Sequence, residues 1–338
     1  MKIAVLMGGT SDEREVSLSS GAQIARALRE AKHDVVAVDT VHGVLTADAE
    51  RGLLDEGVRA APPGGADLAG LDESHTVALT RDPNLASVDL YFLALHGGSG
   101  EDGTIQALLD VAGVAYTGSD RLGCSLAMDK EVSKRLLRDA GVPTPDWLVG
   151  PRDVDEVESA LGVPVIVKAA GGGSSLRLLL AHDRAELSAA IEESAGWNDL
   201  VLFERYHPGR EFTVGVVGDE AFPVGEIVPD HEIFDYECKY QPGKAQEIFP
   251  ADIPDELAER LRALALDVHR ALRLRDLSRV DFMVDGSGGI WCLEANALPG
   301  MTATSLLPKG AQAVGVSFPE LCDRVARLAW ERVQRRSF

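Results

Sequence analysis

One stretch of the chain carries polar residues where paired strands would normally be apolar. It runs Arg279-Val280-Asp281-Phe282-Met283-Val284, turns at Asp285-Gly286-Ser287-Gly288-Gly289, and returns as Ile290-Trp291-Cys292-Leu293-Glu294-Ala295-Asn296. Side chains on a strand repeat with period two, so Arg279 shares a face with Asp281, and Glu294 shares one with Asn296. Closing the hairpin can bring these faces together. Polar groups are costly in a dry core, and Asp281, Glu294 and Asn296 offer the hard oxygens that Mg²⁺ prefers, beside the guanidinium of Arg279. A structural ion pair on a half-exposed sheet is the competing reading of the same four residues.

Three lysines form the second chemical feature: Lys130 after Met128-Asp129, Lys168 ending the apolar run Val165-Ile166-Val167, and Lys239 in a polar segment. Lys168 stands apart because Gly171-Gly172-Gly173-Ser174-Ser175 follows it, a turn whose backbone N–H groups can approach a polyphosphate closely. No Gly-Lys-Ser/Thr follows, so this is not a Walker A loop, and Gly8-Gly9-Thr10 is not a dinucleotide fingerprint. A plain glycine-rich hairpin turn stays open as the alternative.

These residues need a scaffold, and the apolar periodicity outlines one. Residues 3–7, a helix over 15–30 and a strand at 35–38 make a βαβ unit; Leu90–Leu95, an amphipathic 105–111 and Val114–Tyr116 suggest another. Residues 41–85 have weak periodicity and receive no assignment. A helix is expected from Ser125 to Ala140, stopped by Gly141 and Pro143. Strands follow at 163–168 and 176–180, a helix begins near Asp183, and strands are expected near 200–205, 211–217 and 221–228. A helix over 255–272, the hairpin over 279–296 and a helix over 318–335 complete the chain. The pattern predicts an α/β (α+β) protein in three parts: 1–118 with a parallel sheet, 119–202 with the glycine loop, and 203–338 with the hairpin.

At 338 residues the chain exceeds what one core usually serves. Its 54 acidic against 33 basic residues give a formal charge of −21, which opposes nucleic acid and anionic membrane surfaces as partners. No apolar run approaches the roughly 20 residues that span a bilayer, and Met1–Met7 is too short for a signal peptide. The four cysteines, Cys124, Cys238, Cys292 and Cys322, lack metal-ligand or C-x-x-C spacing and are expected as reduced core thiols. Cytoplasm is the expected compartment.

Five segments together resemble the D-alanine–D-alanine ligases. They are Glu13-Arg14-Glu15-Val16-Ser17, His96 through Thr104, Ala127-Met128-Asp129-Lys130, Tyr236-Glu237-Cys238-Lys239-Tyr240, and Glu294 through Thr302, in the family's order and spacing across nearly the whole chain. The resemblance implies an ATP-grasp fold and ligation of two D-alanines through a D-alanyl phosphate, for peptidoglycan precursors. It implies that Lys130 and Lys168 bind ATP phosphates, that Lys239, Ser174 and Ser175 also bind ATP, and that Glu204 and Glu211 hold its adenine and ribose end. Asp281, Glu294 and Asn296 match ligands of two Mg²⁺ or Mn²⁺ ions. Glu13 matches the acceptor of the first substrate's ammonium, linked to Ser174 and Tyr240; His96 matches a contact to that substrate. Arg279 and the N–H of Gly300 match oxyanion stabilisers, and Ser305 and Leu306 the receptor of the second carboxylate. The stretch 234–249 matches a mobile loop that closes over the site. A homodimer is implied as well.

One segment departs from the family pattern. Lys168 is followed by Ala169-Ala170-Gly171-Gly172-Gly173-Ser174-Ser175-Leu176-Arg177, which keeps both serines but adds glycine, and Arg177 puts a cation where a small residue is usual. Arg177 is expected to face solvent or to supplement the phosphate-binding charge. Tyr240 favours D-alanine as second substrate. The alternatives are a ligase using D-serine or D-lactate there, and a catalytically weak ATP-binding regulatory homologue.

Overall fold

The computed structural model describes residues 1–56, 63, 68, 70–72, 74–173, 177–234, 236–241 and 243–336. Strands β1 (Lys2–Met7), β2 (Asp34–Asp39), β3 (Gly43–Val44) and β4 (Leu90–Leu93) form a sheet in the order β3-β2-β1-β4, with β1 parallel to both β2 and β4. The unbroken apolar run of β1 is what a strand covered on both faces requires. Ile3, Val5 and Met7 face helix Arg14–Glu30 and the terminal helix Phe318–Arg336, while Ala4 and Leu6 pack with Tyr91, Leu93, Ile105 and Leu109 on the other side. In the unassigned stretch the described residues hold β3 and helices Ala47–Glu56 and Ser74–Leu79.

A second, antiparallel sheet has the order β5-β8-β6-β7, from β5 (Trp147–Val149), β6 (Val165–Ala169), β7 (Leu178–Ala181) and β8 (Val201–Arg205). Helices Val154–Leu161 and Arg184–Ser194 cover its outer face through Val157, Leu161, Leu187 and Ala190. β8 runs through the expected 202/203 division, and only Tyr206-His207-Pro208 joins it to the third sheet. That sheet, also antiparallel, runs β12-β11-β9-β13-β14, built from β9 (Gly209–Val217), β10 (Glu220–Ala221, beside β9), β11 (Gly225–Pro229), β12 (Ala245–Ile248), β13 (Leu277–Asp285) and β14 (Ile290–Asn296). Helix Asp255–Ala271 backs it with Leu261, Ala265 and Val268.

Three expectations need correction. Val114–Tyr116, expected to complete a second βαβ unit, forms no strand and meets the sheet only through a parallel bridge of Tyr116 with Tyr91. The helix over 125–140 is two helices, Arg121–Met128 and Lys130–Asp139. Between them Asp129 is extended (φ −83°, ψ 98°), and its side chain accepts from the backbone N–H of Glu131 and Val132, both at 3.0 Å. An aspartate cap thus restarts the helix. The strand over 221–228 is also two pieces, β10 and β11, separated at Pro223, which has no N–H to give a ladder.

Candidate active site

The second and third sheets turn their uncovered faces toward one another and enclose a cavity of about 610 Å³. On β6, Ile166 and Lys168 share the inward face; β8 runs beside it with Glu204 opposite Ile166. Lys168 Nζ donates to Glu204 Oε1 at 2.8 Å, and Lys134 Nζ donates to Oε2 at 2.5 Å. Burial pushes the Glu204 carboxyl up, but the two ammonium groups outweigh it and hold it below the usual range.

The facing wall is polar by design of the strand register. Asp281 lies opposite Thr213 on β9 and Glu294 on β14; Arg279 lies opposite Asn296, and Met283 opposite Glu211. A bulge then breaks the hairpin, because Asp281 pairs with Glu294 while Phe282 pairs with Cys292. Leu293 is the extra residue, and both Leu293 and Glu294 line the cavity. Asp281 accepts from Thr213 Oγ1 at 2.7 Å, Arg279 Nη2 at 2.8 Å and Asn296 Nδ2 at 3.1 Å. The hairpin therefore gathers Arg279, Asp281, Glu294 and Asn296 as the period-two pattern requires.

Charge is unevenly balanced along this wall. Burial would raise Glu294, yet Lys130, Lys239, Lys168 and Arg279 together pull its carboxyl down to about 2. Lys130 Nζ is 3.5 Å from it. Glu211 goes the other way, to about 8, through burial and then the repulsion of Asp281 and Glu294. Such an excess of carboxylates is the electrostatic setting a divalent cation relieves, and the donors are all oxygens. Among the described residues no three His, Cys, Asp or Glu side chains converge on one point as a complete metal cage. That is compatible with Mg²⁺, which takes one or two carboxylates and completes its shell with water and phosphate oxygens.

Lys130 reaches across to the glycine loop. Its N–H donates to Ala170 O at 3.0 Å and its Nζ to Gly172 O at 2.9 Å. At Gly173 the loop meets Glu13, which is buried: a Cβ on Gly173 would lie 2.5 Å from Glu13 Oε2, and one on Gly97, at φ +63°, would lie 2.7 Å from it. Glycine at both places lets two loops close on one carboxylate. Arg177 lines the cavity with Nη1 3.8 Å from Asp199, so it turns to a carboxylate and not outward alone. Over 234–249 the described residues form helix Tyr236–Tyr240 and β12, with Phe234 and Cys238 packed on Ile227 and Leu306, and Lys239 lines the cavity.

Glu13, Lys130, Lys168, Glu204, Glu211, Lys239, Asp281 and Glu294 thus share one cavity. Others do not reach its wall. His96 lies behind it, fully buried, with Nδ1 donating to Leu298 O at 3.0 Å and Nε2 paired to Ser20 Oγ at 3.3 Å. Burial lowers its pKa, so the ring is neutral. Ser305 caps its own turn, Oγ accepting from Thr302 N at 3.1 Å, and Gly300 packs against it. Leu306 is buried with Ile227 and Phe234. Ser174, Ser175 and the Tyr240 side chain lie outside the described residues. Sequence reasoning passed over two groups, one half-buried and one fully buried. Glu101, accepting from the N–H of Gly97 (3.1 Å) and Leu298 (3.3 Å), ties two site loops together, and burial and Glu13 raise its carboxyl to about 7. Lys134 lies one helical turn beyond Lys130, and that spacing was its only signal.

Known proteins match this chain along its length. A model of the D-ala D-ala ligase N-terminus matches residues 2–119, and one of the D-ala D-ala ligase C-terminus matches residues 136–327. The D-alanine–D-alanine ligase of Syntrophotalea carbinolica is 40% identical over 324 residues, 96% of this chain and 94% of the relative. Among solved structures, the D-alanine–D-alanine ligase of Bacillus anthracis complexed with ATP aligns with a TM-score of 0.78 at 31% identity, over 99% of both chains. The VanG D-Ala:D-Ser ligase of Enterococcus faecalis aligns at 0.80 and 28% identity, over 97% of this chain and 99% of that one.

Proposed function

We propose that this chain, which belongs to the D-alanine–D-alanine ligase family and has its ATP-grasp fold, joins two D-alanines at the expense of ATP. One observation carries the reading: a single cavity presents three lysines, a carboxylate-rich hairpin wall and, at its far end, Glu13 clasped by two glycine loops. Polyphosphate, a divalent cation and an ammonium group each have matching chemistry there.

A free carboxylate is a poor acyl donor because its leaving group would be oxide. Transfer of the γ-phosphoryl group to the first D-alanine's carboxylate gives an acyl phosphate and ADP; the second D-alanine's amine attacks the acyl carbon, and phosphate leaves. Lys130 and Lys168 are assigned to the phosphates, Lys239, Ser174 and Ser175 to ATP as well, and Glu204 and Glu211 to the nucleoside. Asp281, Glu294 and Asn296 would hold Mg²⁺ or Mn²⁺, which supplies neutralisation of phosphate charge when bound. Glu13 is assigned to the first ammonium, with the link to Ser174 and Tyr240 that the resemblance implies. Arg279 and the N–H of Gly300 are assigned to the oxyanion, and Ser305 and Leu306 to the second carboxylate. His96, neutral and pinned to Leu298, supports the first-substrate pocket from behind. Holding both amino acids together removes much of the entropic barrier to attack.

The three-part division, with the central part extended to Arg205, is supported by the separation of the sheets. Among the described residues no helix is long and apolar enough to cross a membrane; cytoplasmic residence, a homodimer and a role in peptidoglycan synthesis belong to the same proposal. The test is ADP release on adding D-alanine, with L-alanine as control and the dipeptide confirmed by mass. D-serine and D-lactate, offered as second substrates, separate the neighbouring specificities. Nucleotide binding without D-alanine-dependent ADP release would leave the regulatory alternative instead.

A further inference from the structure

Lys134 is a buried cation for which the reading above has no task. It is 1% exposed and does not line the cavity. Its ammonium donates to Glu204 Oε2 at 2.5 Å and to Thr144 Oγ1 at 2.7 Å, and lies 5.0 Å from the centre of the Trp147 ring. Its direct partners are an acceptor, a carboxylate and an aromatic face, which hold the lysine on several sides against burial and the like charge of Lys168 across the same carboxylate. Lys168 is different. It occupies the other oxygen of the same carboxylate at 2.8 Å, but it opens onto the cavity.

One carboxylate with two ammonium groups is more cation than a buried pair needs. If Glu204 had Lys168 alone, withdrawing that lysine toward a phosphate would strand an ionised carboxylate away from water, at a penalty subtracted from nucleotide affinity. A second, immovable cation removes the penalty. Resting on the assignment of the cavity to ATP, we infer that Lys134 is a positioning residue: it stays on Glu204 through the cycle, keeps that carboxylate ionised and aimed, and so frees Lys168 to exchange Glu204 for a nucleotide phosphate. Thr144 and Trp147 fix Lys134; the cavity leaves Lys168 free to move. A lysine present only for folding would not discriminate between nucleotides by their number of phosphates.

The test is calorimetric titration of the full chain with Mg-AMP-PNP and with AMP, for the wild type, Lys134→Met and Lys134→Met/Glu204→Gln. In Lys134→Met, Glu204 retains Lys168, and the ratio of triphosphate to monophosphate affinity falls on the order of tenfold. In the double variant a neutral amide no longer retains Lys168, and the ratio recovers. An unchanged ratio in Lys134→Met, or none regained in the double variant, overturns the inference while leaving the nucleotide site intact. Failure of the wild type to bind Mg-AMP-PNP removes the site assignment itself. If Lys134→Met does not fold, a crystal structure of the wild type with Mg-AMP-PNP decides. Lys134 still on Glu204 with Lys168 withdrawn supports the role; Lys168 still on Glu204, or Lys134 withdrawn, overturns it.

Discussion

Replacing Gly173 with alanine adds one methyl group aimed at the carboxylate of Glu13. The new carbon would lie 2.5 Å from Oε2 and 3.3 Å from Cδ. Non-bonded heavy atoms settle at about 3.5 Å, so the carboxylate or the loop must retreat by about 1 Å. Gly173 is not among the residues of positive φ, so the backbone accepts alanine without left-handed strain and the effect is steric. Under the proposed reading, the displaced group receives the first D-alanine's ammonium. A misplacement of that size costs on the order of 10²-fold when it shifts a substrate against its reaction partner. Steady-state ADP release at saturating ATP should therefore show kcat/KM for D-alanine reduced roughly 10- to 100-fold, with KM for ATP and the melting temperature close to wild type. Gly172→Ala is the control, because its Cβ would meet nothing within 4 Å while its φ of +84° strains the loop. Unchanged D-alanine kinetics in Gly173→Ala would refute the role of the Glu13 contact, and equal losses in both variants would assign the effect to loop conformation.

Asp129→Ala should remove the cap that restarts the helix at Lys130, lowering stability by about 1 kcal/mol and raising KM for ATP as Lys130 shifts; Asp129→Asn should restore both, and a silent alanine variant would contradict the capping argument. His269, buried on Ser278 Oγ at 2.7 Å, is depressed to about 4, chiefly by burial. Its folded pKa lies below the unfolded value, so the stability it contributes is full above about 6.5 and is lost as pH falls toward 4, about 2 kcal/mol of it by pH 5. Urea midpoints at pH 7.5 and 5 should show that loss in the wild type and a smaller one in His269→Gln; equal losses would disprove it. Chelation should abolish ADP release and added Mg²⁺ or Mn²⁺ restore it, while Glu294→Gln should raise the cation concentration needed by roughly tenfold or more; release that persists in chelator would exclude the hairpin as a cation site.

Much of this architecture is legible in the residues because burial leaves a periodic trace. The unbroken apolar β1, the helix over 14–30 and the polar face of the 279–296 hairpin all follow from which side must be dry. Breaks in hydrogen-bonding pattern leave a weaker trace. Asp129 sits inside a run with sustained helical periodicity, and only its capping side chain, visible in three dimensions, splits the helix. The bulge at Leu293 is hidden for a related reason: strict alternation puts Leu293 opposite to Glu294, and one unpaired residue brings both to the cavity. Lys134 is harder still, since its burial depends on Glu204, seventy positions away in the chain. His96, Ser305 and Leu306 show the converse, since a residue type in a familiar pattern says what it neighbours but not whether its side chain reaches the cavity wall.

The pairing inside the cavity bears on how nucleotide and cation bind. In the free protein its cations are already engaged: Lys168 with Glu204, Lys130 with Gly172 O and Glu294, and Arg279 with Asp281. The protein's own carboxylates thus stand where the anionic oxygens of a polyphosphate would compete. Each lysine drawn to a phosphate leaves a carboxylate less compensated, and the penalty is greatest at the hairpin, where burial, and then its like-charged neighbours, already drive Glu211 to about 8. Glu204 keeps Lys134, whereas the cations that chiefly compensate Glu294, namely Lys130, Lys239 and Lys168, line the cavity itself. A polyphosphate that arrives alone therefore meets an under-neutralised wall, and a divalent ion that arrives alone must compete with Arg279 for Asp281. Each relieves the cost of the other, so their affinities should rise together and by the same factor, as linkage requires.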